Sequence, residues 1–258
     1  MGIEMGLVTT EAILLDVRDL QEQDRIVTFL TSEHGKKRGV ARGSKRKYSR
    51  FAGQLQPLAK VRATWFEKEG RELVRISSLE LLRAADRLYR DLEGILLGSY
   101  LAGNALEFAQ DNEENEYLFR LLDTTTNALC EGVERNLAAR FYEAWVLRLA
   151  GVFPPPAECP TCGGDLLTKK AAITQGAEGL LCRECAGGEA KKVSRGTVEF
   201  LLRIGGENLR RLGASPPSVR TLAEVEDVNA RVRRAFLQDE LKSYRVLKET
   251  LQSLPRES

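Results

Sequence analysis

The first part of the chain alternates between apolar and polar side chains with a period of two, the pattern of half-buried β-strands. The alternation is clearest in residues 58–66, where Val61, Ala63 and Trp65 share one face. Other strand-like segments, bounded by glycine or polar turns such as Glu69-Gly70, span residues 7–17, 25–31, 39–41 and 73–82. Four or five short strands within about 75 residues predict a small barrel rather than a sandwich.

From Arg83 onward the apolar positions repeat with a helical period. The predicted helices run from residue 83 to about 110, over 116–130 and 137–149, from an N-cap at Ser194 to about 212, and over 223–251. Their apolar stripes are expected to face the core; the stripe of the first helix comprises Leu88, Leu92, Ile95 and Ser99. In the last helix the apolar stripe changes register by one residue: it follows one helical face up to Phe236 and continues on the adjacent face from Leu237.

The chain has 258 residues, of which 43% are hydrophobic and 29% charged, as in an ordinary globular protein of two domains. We predict an α+β multidomain protein with a barrel domain over residues 1–82 and an all-α domain over residues 83–258. A cysteine-bearing insert, residues 157–193, follows the helix-breaking run that ends in three prolines. No apolar run reaches the ~18 residues of a membrane helix, and Met1 to Gly6 lack a signal peptide's basic start, so we expect a cytoplasmic protein without membrane contacts.

Four cysteines form two C-x₂-C knuckles separated by nineteen residues: Cys159, Cys162, Cys182 and Cys185. Two such knuckles joined by a hairpin, with its tip at residues 176–179, complete a tetrahedral Cys₄ shell for one Zn²⁺. Four thiolates leave no open position for water, so the ion is predicted to be structural. A redox dithiol would need a βαβ context and a deaminase a different spacing; neither is present. The fifth cysteine, Cys130, is predicted to be a buried thiol.

Positive charge is concentrated in one segment. Residues 1–82 hold 15 basic and 11 acidic side chains, a net charge of +4, whereas residues 83–258 hold 24 and 26. Residues 34–66 contain ten basic side chains and no acidic one. A solvated loop would mix signs, so we predict a nucleic-acid surface in which cations bind phosphates and aromatic rings stack on bases. The predicted binding residues are Lys36, Lys37, Arg38, Arg42, Lys45, Arg46, Lys47, Arg50, Phe51 and Phe66.

Catalytic chemistry finds little support in the sequence. The only histidine, His34, lies beside a turn glycine, and we expect it to be a solvated turn residue. The segment from Gly39 to Lys45 lacks the spacing of a phosphate-binding loop. A nuclease using Asp16, Asp19 and Asp24 remains an alternative, although their spacing suggests no metal pair. We predict no catalytic residues; a zinc-bearing regulator that binds nucleic acid is the other alternative.

Several motifs, in order along nearly the whole chain, match those of a known family. They are Leu30-Thr31-Ser32-Glu33-His34-Gly35, Gly39-Val40-Ala41-Arg42-Gly43, and the segments Ser49 to Leu58, Glu116 to Leu122 and Phe141 to Gly151. With them the chain resembles the RecO family of bacterial recombination mediators in DNA repair. The resemblance implies an N-terminal OB-fold barrel and a helical C-terminal domain with an inserted zinc ribbon.

The same resemblance implies that the protein binds single- and double-stranded DNA and anneals complementary strands at the nucleoid. It implies RecR and the acidic tail of single-strand-binding protein as partners, with the loading of RecA as the outcome. For the tail we expect a groove in the helical domain with a cation at its rim. The candidate cations, among which the sequence does not choose, are Arg140, Arg148, Arg203, Arg210 and Arg211.

Overall fold

The computed structural model describes residues 6–68, 72–176 and 179–253. The predicted turn at Glu69-Gly70, the tip of the cysteine hairpin at Ala177-Glu178 and the first five residues lie outside this range. Contacts divide the chain into two compact units. One holds the chain up to Cys130 together with the segment from Val246 onward, and the other is Glu131–Arg245. No helix among the described residues is both long and apolar enough to cross a membrane.

Five strands close into a barrel. They are β1 (Gly6–Asp19), β2 (Arg25–Thr31), β3 (Lys36–Ala41), β4 (Lys60–Glu67) and β5 (Leu73–Arg83). The strand order around the barrel is β1-β2-β3-β5-β4, and β4 pairs with β1 to complete the ring. All neighbouring strands are antiparallel except β3 and β5, which run parallel. The predicted barrel is therefore present, with β3 beginning three residues before the predicted start.

The barrel core is formed by the apolar face that the alternation identified. Val61, Ala63 and Trp65 of β4 point inward and are buried. Trp65 packs against Phe29 of β2, with 5.4 Å between ring centroids. Phe51 also enters this core, although it belongs to the β3–β4 connection and not to a strand. A fully buried Phe is worth about 1.5–3 kcal/mol, so Phe51 ties this connection to the barrel.

The unit that contains the barrel also holds two whole helices, α1 (Leu92–Phe108) and α2 (Glu116–Cys130), besides the segment from Val246 onward. Asp123 of α2 binds both Lys60 at 3.0 Å and Arg83 at 2.6 Å, which attaches the helix to β4 and β5. The compact unit thus extends past residue 82, the predicted domain boundary, because charged and apolar contacts join these helices to the strands.

The predicted apolar stripe of the first helix is wrong in register. Leu92 and Ile95 are 45% and 41% exposed, whereas Leu97 and Tyr100 are buried. Leu88, the first member of the stripe, is buried in a separate short 3₁₀ turn, Leu88–Arg90. The extended backbone of Asp91 separates that turn from α1, and the Asp91 side chain accepts from the amide of Gly94. The helical period therefore does not continue across residue 91.

The second unit consists of helices and a small sheet. Its main helices are α3 (Arg135–Leu149), α5 (Arg195–Gly206), α6 (Leu209–Ala214) and α7 (Val219–Leu237). The sheet has the order β7-β6-β8 and comprises β6 (Ala171–Ile173), β7 (Leu181–Cys182) and β8 (Lys191–Lys192), with the short helix α4 (Arg183–Ala186) after β7. Ser194 caps α5 by accepting from the amide of Thr197, which confirms the predicted N-cap.

Two long predicted helices are each broken into two. The helix predicted up to residue 212 consists of α5 and α6, with Asn208 capping the second. The helix predicted over 223–251 consists of α7 and α8 (Lys242–Ser253). Gln238 ends α7 in the left-handed conformation with φ of 59°, which stops an α-helix. The one-residue slip of the apolar stripe from Phe236 to Leu237 marks this break.

Candidate nucleic-acid interface and metal centre

The first two lysines of the basic segment are already engaged within the barrel unit. Lys37 points into the barrel end, is buried and forms an ion pair with Glu67. Burial opposes the charge of Glu67, but the hydrogen bond and the positive charge of Lys37 act against burial, and the pKa of Glu67 is lowered. Lys36 donates to the carbonyl oxygen of Leu106 at 2.9 Å and lies 3.4 Å from Asp111. Both predicted DNA-binding lysines therefore have structural partners.

Apart from Arg38, which lies on β3, the other cations lie in the connection between β3 and β4, and the first part of this connection is held by the β1–β2 turn. Asp24 accepts from the amide of Gly43 at 2.8 Å, where a φ of +68° favours glycine. The carbonyl oxygen of Gln23 accepts from the amide of Lys45 at 3.1 Å, and its side chain accepts from Arg46 at 2.7 Å. These bonds fix the backbone of the loop relative to the barrel.

Asp19 in the same turn neutralises one loop cation. Its carboxylate contacts Lys45 at 2.8 Å and Arg25 at 3.3 Å. The hydrogen bonds from Lys45 and Arg25 lower the pKa of Asp19. An exposed ion pair of this kind contributes little to stability, but it competes with any phosphate for Lys45.

Four cations of the predicted set are exposed and form neither an ion pair nor a side-chain hydrogen bond within the described residues: Arg38, Arg42, Lys47 and Arg50. The loop also presents an aromatic ring that the predicted binding set omits. Tyr48 is 90% exposed, and the Lys47 ammonium lies 5.7 Å from the centre of its ring. The sequence shows Tyr48 among basic residues. It does not show whether Tyr48 or Phe51 is the ring of this loop that enters the core and which one stays exposed.

The two phenylalanines predicted to stack on bases have different positions. Phe51 is 1% exposed inside the barrel core, so its predicted role as a stacking platform is wrong and its ring plugs the barrel instead. Arg50 lies over this ring at 5.0 Å. Phe66 is half-buried on the outer face of β4, opposite Leu7 of β1 and Arg75 of β5. Its placement on the face of Arg62 agrees with the sequence pattern.

The three aspartates considered for a nuclease each have other partners in the structure. Asp16 pairs with Arg18 at 2.6 Å, while Asp19 and Asp24 hold the basic loop. His34 is half-buried rather than solvated, with its ring edge-on to Trp65 at 5.6 Å. Within the described residues, the only group of three or more potential metal ligands is the set of four cysteines.

The four cysteines meet as their spacing predicts. The sulfur atoms of Cys159, Cys162, Cys182 and Cys185 all lie within 4.8 Å of one another. The Cys162 and Cys182 sulfurs are 3.7 Å apart. A tetrahedral ion with bonds of ~2.3 Å would place its sulfur ligands about 3.8 Å apart, so the donor set fits a zinc-like ion. In the first knuckle, Gly163 has a φ of +68° and donates its amide to the carbonyl oxygen of Cys159 at 2.8 Å.

The electrostatics of the cluster also favour a cation. Burial opposes ionisation of Cys159, but backbone amides of Cys182, Thr161 and Cys162 lower its pKa to about 6. Hydrogen bonding to the sulfurs of Cys182 and Cys162 raises the pKa of Cys185 to about 12. Four thiolates at this distance repel one another unless a cation binds between them. Lys169, near Cys162 and 3.6 Å from Glu184, adds a positive charge at the rim.

The five arginines considered for an acidic peptide differ in availability. Arg140 is buried against Glu143 and Glu226, and Arg203 pairs with Glu207. Arg148 donates to the carbonyl oxygen of Leu201, and burial lowers its pKa to about 10. Arg210 and Arg211 of α6 are exposed and form no ion pair within the described part of the chain.

Comparison with known proteins identifies the family. The model described as Recombination protein O N terminal matches residues 5–85, and Recombination protein O C terminal matches residues 89–245. DNA repair protein RecO of Anaeromyxobacter sp. (strain K) is 33% identical over 214 residues, 82% of this chain and 84% of that protein. DNA repair protein RecO of Geobacter metallireducens is 36% identical over 187 residues, 70% of this chain and 73% of that protein. The chain therefore belongs to the RecO family of DNA repair and recombination proteins.

Proposed function

We propose that this protein is a recombination mediator that binds single- and double-stranded DNA and anneals complementary strands. The observation that carries the proposal is the β3–β4 loop. It projects Arg42, Lys47 and Arg50 without ion partners in the described residues, beside an exposed Tyr48. We further propose that the five-stranded barrel is an OB-fold, a fold whose loops commonly bind oligonucleotides.

Annealing by such a surface needs electrostatics and no covalent chemistry. Two DNA strands repel through their phosphates, and bound cations reduce that repulsion while releasing counterions. Flexible cation side chains bind phosphates without reading base sequence, so the bases stay available for pairing. We therefore propose that the protein acts without a catalytic group of its own.

The test is a strand-annealing assay with two complementary labelled oligonucleotides and no nucleotide cofactor. The expected result is that the full-length protein accelerates duplex formation and that the acceleration declines as salt rises. Degraded oligonucleotides would identify a nuclease instead. Binding that requires one particular sequence, with no acceleration of annealing, would identify a regulator and overturn the proposal.

We propose that the four cysteines bind one structural Zn²⁺. Support comes from the sulfur spacing and from the all-thiolate donor set, which is typical of zinc sites with no ligand position open to water. The ion would hold the two knuckles together, and these residues have no step to perform in a reaction. Elemental analysis of protein purified under reducing conditions should give one zinc per chain.

The proposed partners are RecR and the acidic tail of single-strand-binding protein, with RecA loading as the outcome of their joint action. For the tail, Arg210 and Arg211 are better candidates than Arg140, whose charge faces Glu143 and Glu226. A pull-down with RecR and with an acidic tail peptide tests these contacts. Tail binding that survives the change of both Arg210 and Arg211 to Ala would move the site elsewhere.

A further inference from the structure

Tyr48 is the most exposed large hydrophobic side chain described in the structure, at 90%. Exposure of an aromatic ring forgoes the burial that usually stabilises such a side chain. Phe51, three residues later in the same loop, is buried in the barrel core. A ring of this loop can therefore reach the core, and Tyr48 does not. The Tyr48 ring therefore contributes no buried apolar surface to the barrel core.

The backbone on both sides of Tyr48 is fixed. On its N-terminal side, Arg46 binds Gln23 through its side chain and donates its amide to the carbonyl oxygen of Gly43 at 3.1 Å. On its C-terminal side, Ser49 donates its amide to the carbonyl oxygen of Arg46 at 3.0 Å, and Phe51 is buried two residues later. Tyr48 therefore lies at the tip of a tight, anchored turn. A ligand that contacts the ring finds it already in place.

The surroundings of the ring select the ligand chemistry. Arg42, Lys47 and Arg50 are exposed in the same loop, and Lys47 lies against the ring face at 5.7 Å. The Asp19 carboxylate that contacts this loop is occupied by Lys45. A planar ring beside several uncompensated cations suits a ligand that combines a flat base with a phosphate. A single-stranded nucleic acid offers that combination in every nucleotide.

We propose that Tyr48 stacks on an unpaired nucleobase and is the residue by which the loop prefers single-stranded over double-stranded DNA. The proposal rests on DNA binding as the proposed function and adds a specificity determinant to it. In a duplex both faces of every internal base are already stacked, so Tyr48 can gain a base contact only where a strand is single. Phosphates are present in both forms, so the neighbouring cations do not discriminate between them.

The first test compares Tyr48→Ala with Tyr48→Phe in the full-length protein. The probes are fluorescein-labelled oligothymidine, which cannot pair with itself, and a blunt duplex of equal length. Tyr48→Ala should weaken oligothymidine binding by about 5- to 150-fold, the range for one stacked base, and duplex binding by less than about twofold. Tyr48→Phe keeps the ring and should bind like the wild type. The salt slope should not change, because no phosphate contact is removed.

A matched control is Tyr117→Ala. Tyr117 is also exposed, at 69%, but it follows Glu116 and has no cluster of cations, so its removal should change neither affinity. A second readout uses Tyr48→Trp, whose indole fluorescence should be quenched by oligothymidine more than by the duplex. The native tryptophans are Trp65, which is buried in the barrel, and Trp145, which is half-buried on α3, and the wild-type signal provides the background.

The outcomes separate this inference from the function on which it rests. If the wild type binds DNA but Tyr48→Ala loses affinity equally for both probes, or for neither, Tyr48 is not the discriminating residue. Absence of quenching in a Tyr48→Trp protein that binds oligothymidine also overturns the proposal. If the wild type binds neither probe, the proposed function itself fails.

Discussion

Asp19 shows how one carboxylate can limit a basic surface. It holds Lys45 and Arg25 through hydrogen bonds that lower its own pKa. A depressed pKa means that this interaction is present above the pKa of the unfolded chain and is lost as pH falls through the folded value. Because Asp19 is exposed, the pair adds little to stability, and its main effect is on the charge available to DNA.

We predict that Asp19→Asn tightens binding to single-stranded DNA and steepens the salt dependence. Freeing Lys45 for one more phosphate adds about 0.7 to the magnitude of the slope of log K against log salt. Fluorescence anisotropy at several salt concentrations measures both quantities. The control is Glu199→Gln, which removes one negative charge and frees Arg195 on α5 without touching the loop. Equal effects of the two variants would mean that only net charge matters.

The unpaired cations of the loop should dominate phosphate binding. Changing Arg42, Lys47 and Arg50 together to Ala should flatten the salt slope by about 2, if each contacts one phosphate of a single strand. Changing Lys45 and Arg46 should flatten it less, because Asp19 and Gln23 already hold them. Both sets leave the buried Phe51 in place, and circular dichroism checks that the barrel remains folded. An unchanged slope in the folded triple variant would place the DNA elsewhere, for instance on the cysteine hairpin around Lys170 and Lys192.

At the scale of elements, a few side chains join the secondary structures. Asp123 connects α2 to β4 and β5 through Lys60 and Arg83, and Lys60 also contacts Glu11 of β1 at 2.7 Å. Burial opposes the charge of Lys60, but its hydrogen bonds to Glu11 and Asp123 outweigh this and raise its pKa. These groups are only partly accessible, so their pairing matters more than that of a surface pair.

We predict that Asp123→Ala lowers the free energy of unfolding by about 1.5–3 kcal/mol, because two half-buried cations lose a charged partner. Urea denaturation followed by circular dichroism measures the change. Glu80→Ala is the comparison, since its pair with Arg62 is exposed and should contribute no more than about 1 kcal/mol. If Asp123→Ala lowers the free energy of unfolding no more than Glu80→Ala does, the Asp123 carboxylate does not stabilise the packing of α2 on the strands.

The cysteine hairpin, within residues 157–193, has a sheet that is too small to keep the segment folded by itself. Its strands have two or three residues each, and two of the ligands, Cys162 and Cys185, reach the surface. Binding of a structural zinc ion in such knuckles is worth about 10–16 kcal/mol, comparable with the stability of a whole domain. The proposed ion would therefore determine whether this segment is ordered.

We predict that Cys162→Ser abolishes stoichiometric zinc binding and increases proteolysis within residues 157–193. Inductively coupled plasma mass spectrometry measures the metal, and limited trypsin digestion followed by mass spectrometry locates the cleavage. Cys130→Ser is the matched control, since Cys130 lies on α2, outside the cluster, and its loss should leave the zinc content unchanged. Full zinc content in Cys162→Ser would refute the predicted ligand set.

At the scale of the molecule, the basic loop and the proposed metal site belong to different compact units. The basic loop lies in the unit with the barrel, and the cysteines lie in Glu131–Arg245. Removal of zinc with a chelator is therefore expected to destabilise the second unit while leaving the loop's DNA contacts intact. Calorimetry should show one unfolding transition shifted to lower temperature, with single-strand affinity changed by less than about threefold. A parallel loss of DNA binding would mean that the metal-bearing unit contributes to the interface.

Much of the architecture could be predicted from local pattern. The segments Arg25–Thr31 and Glu116–Cys130 were predicted with the observed bounds, because alternation and helical period depend on neighbours along the chain. The cysteine knuckles were predictable for the same reason, since a C-x₂-C turn is a local geometry. The break between α7 and α8 was signalled by the slipped stripe but was not predicted, because a left-handed Gln238 carries no strong sequence signal.

The sequence by itself determined the classes of element, the grouping of the four cysteines, the concentration of positive charge and the family. Only the tertiary structure decided which of those charges are available and which ring is exposed. Lys37 and Lys45 form ion pairs with Glu67 and Asp19, so neither lysine is free to bind a phosphate. Each acidic partner lies more than twenty residues away along the chain. Phe51 entered the core and left Tyr48 outside. The physical reason is that burial and ion pairing depend on long-range contacts, which the local period of a sequence does not encode.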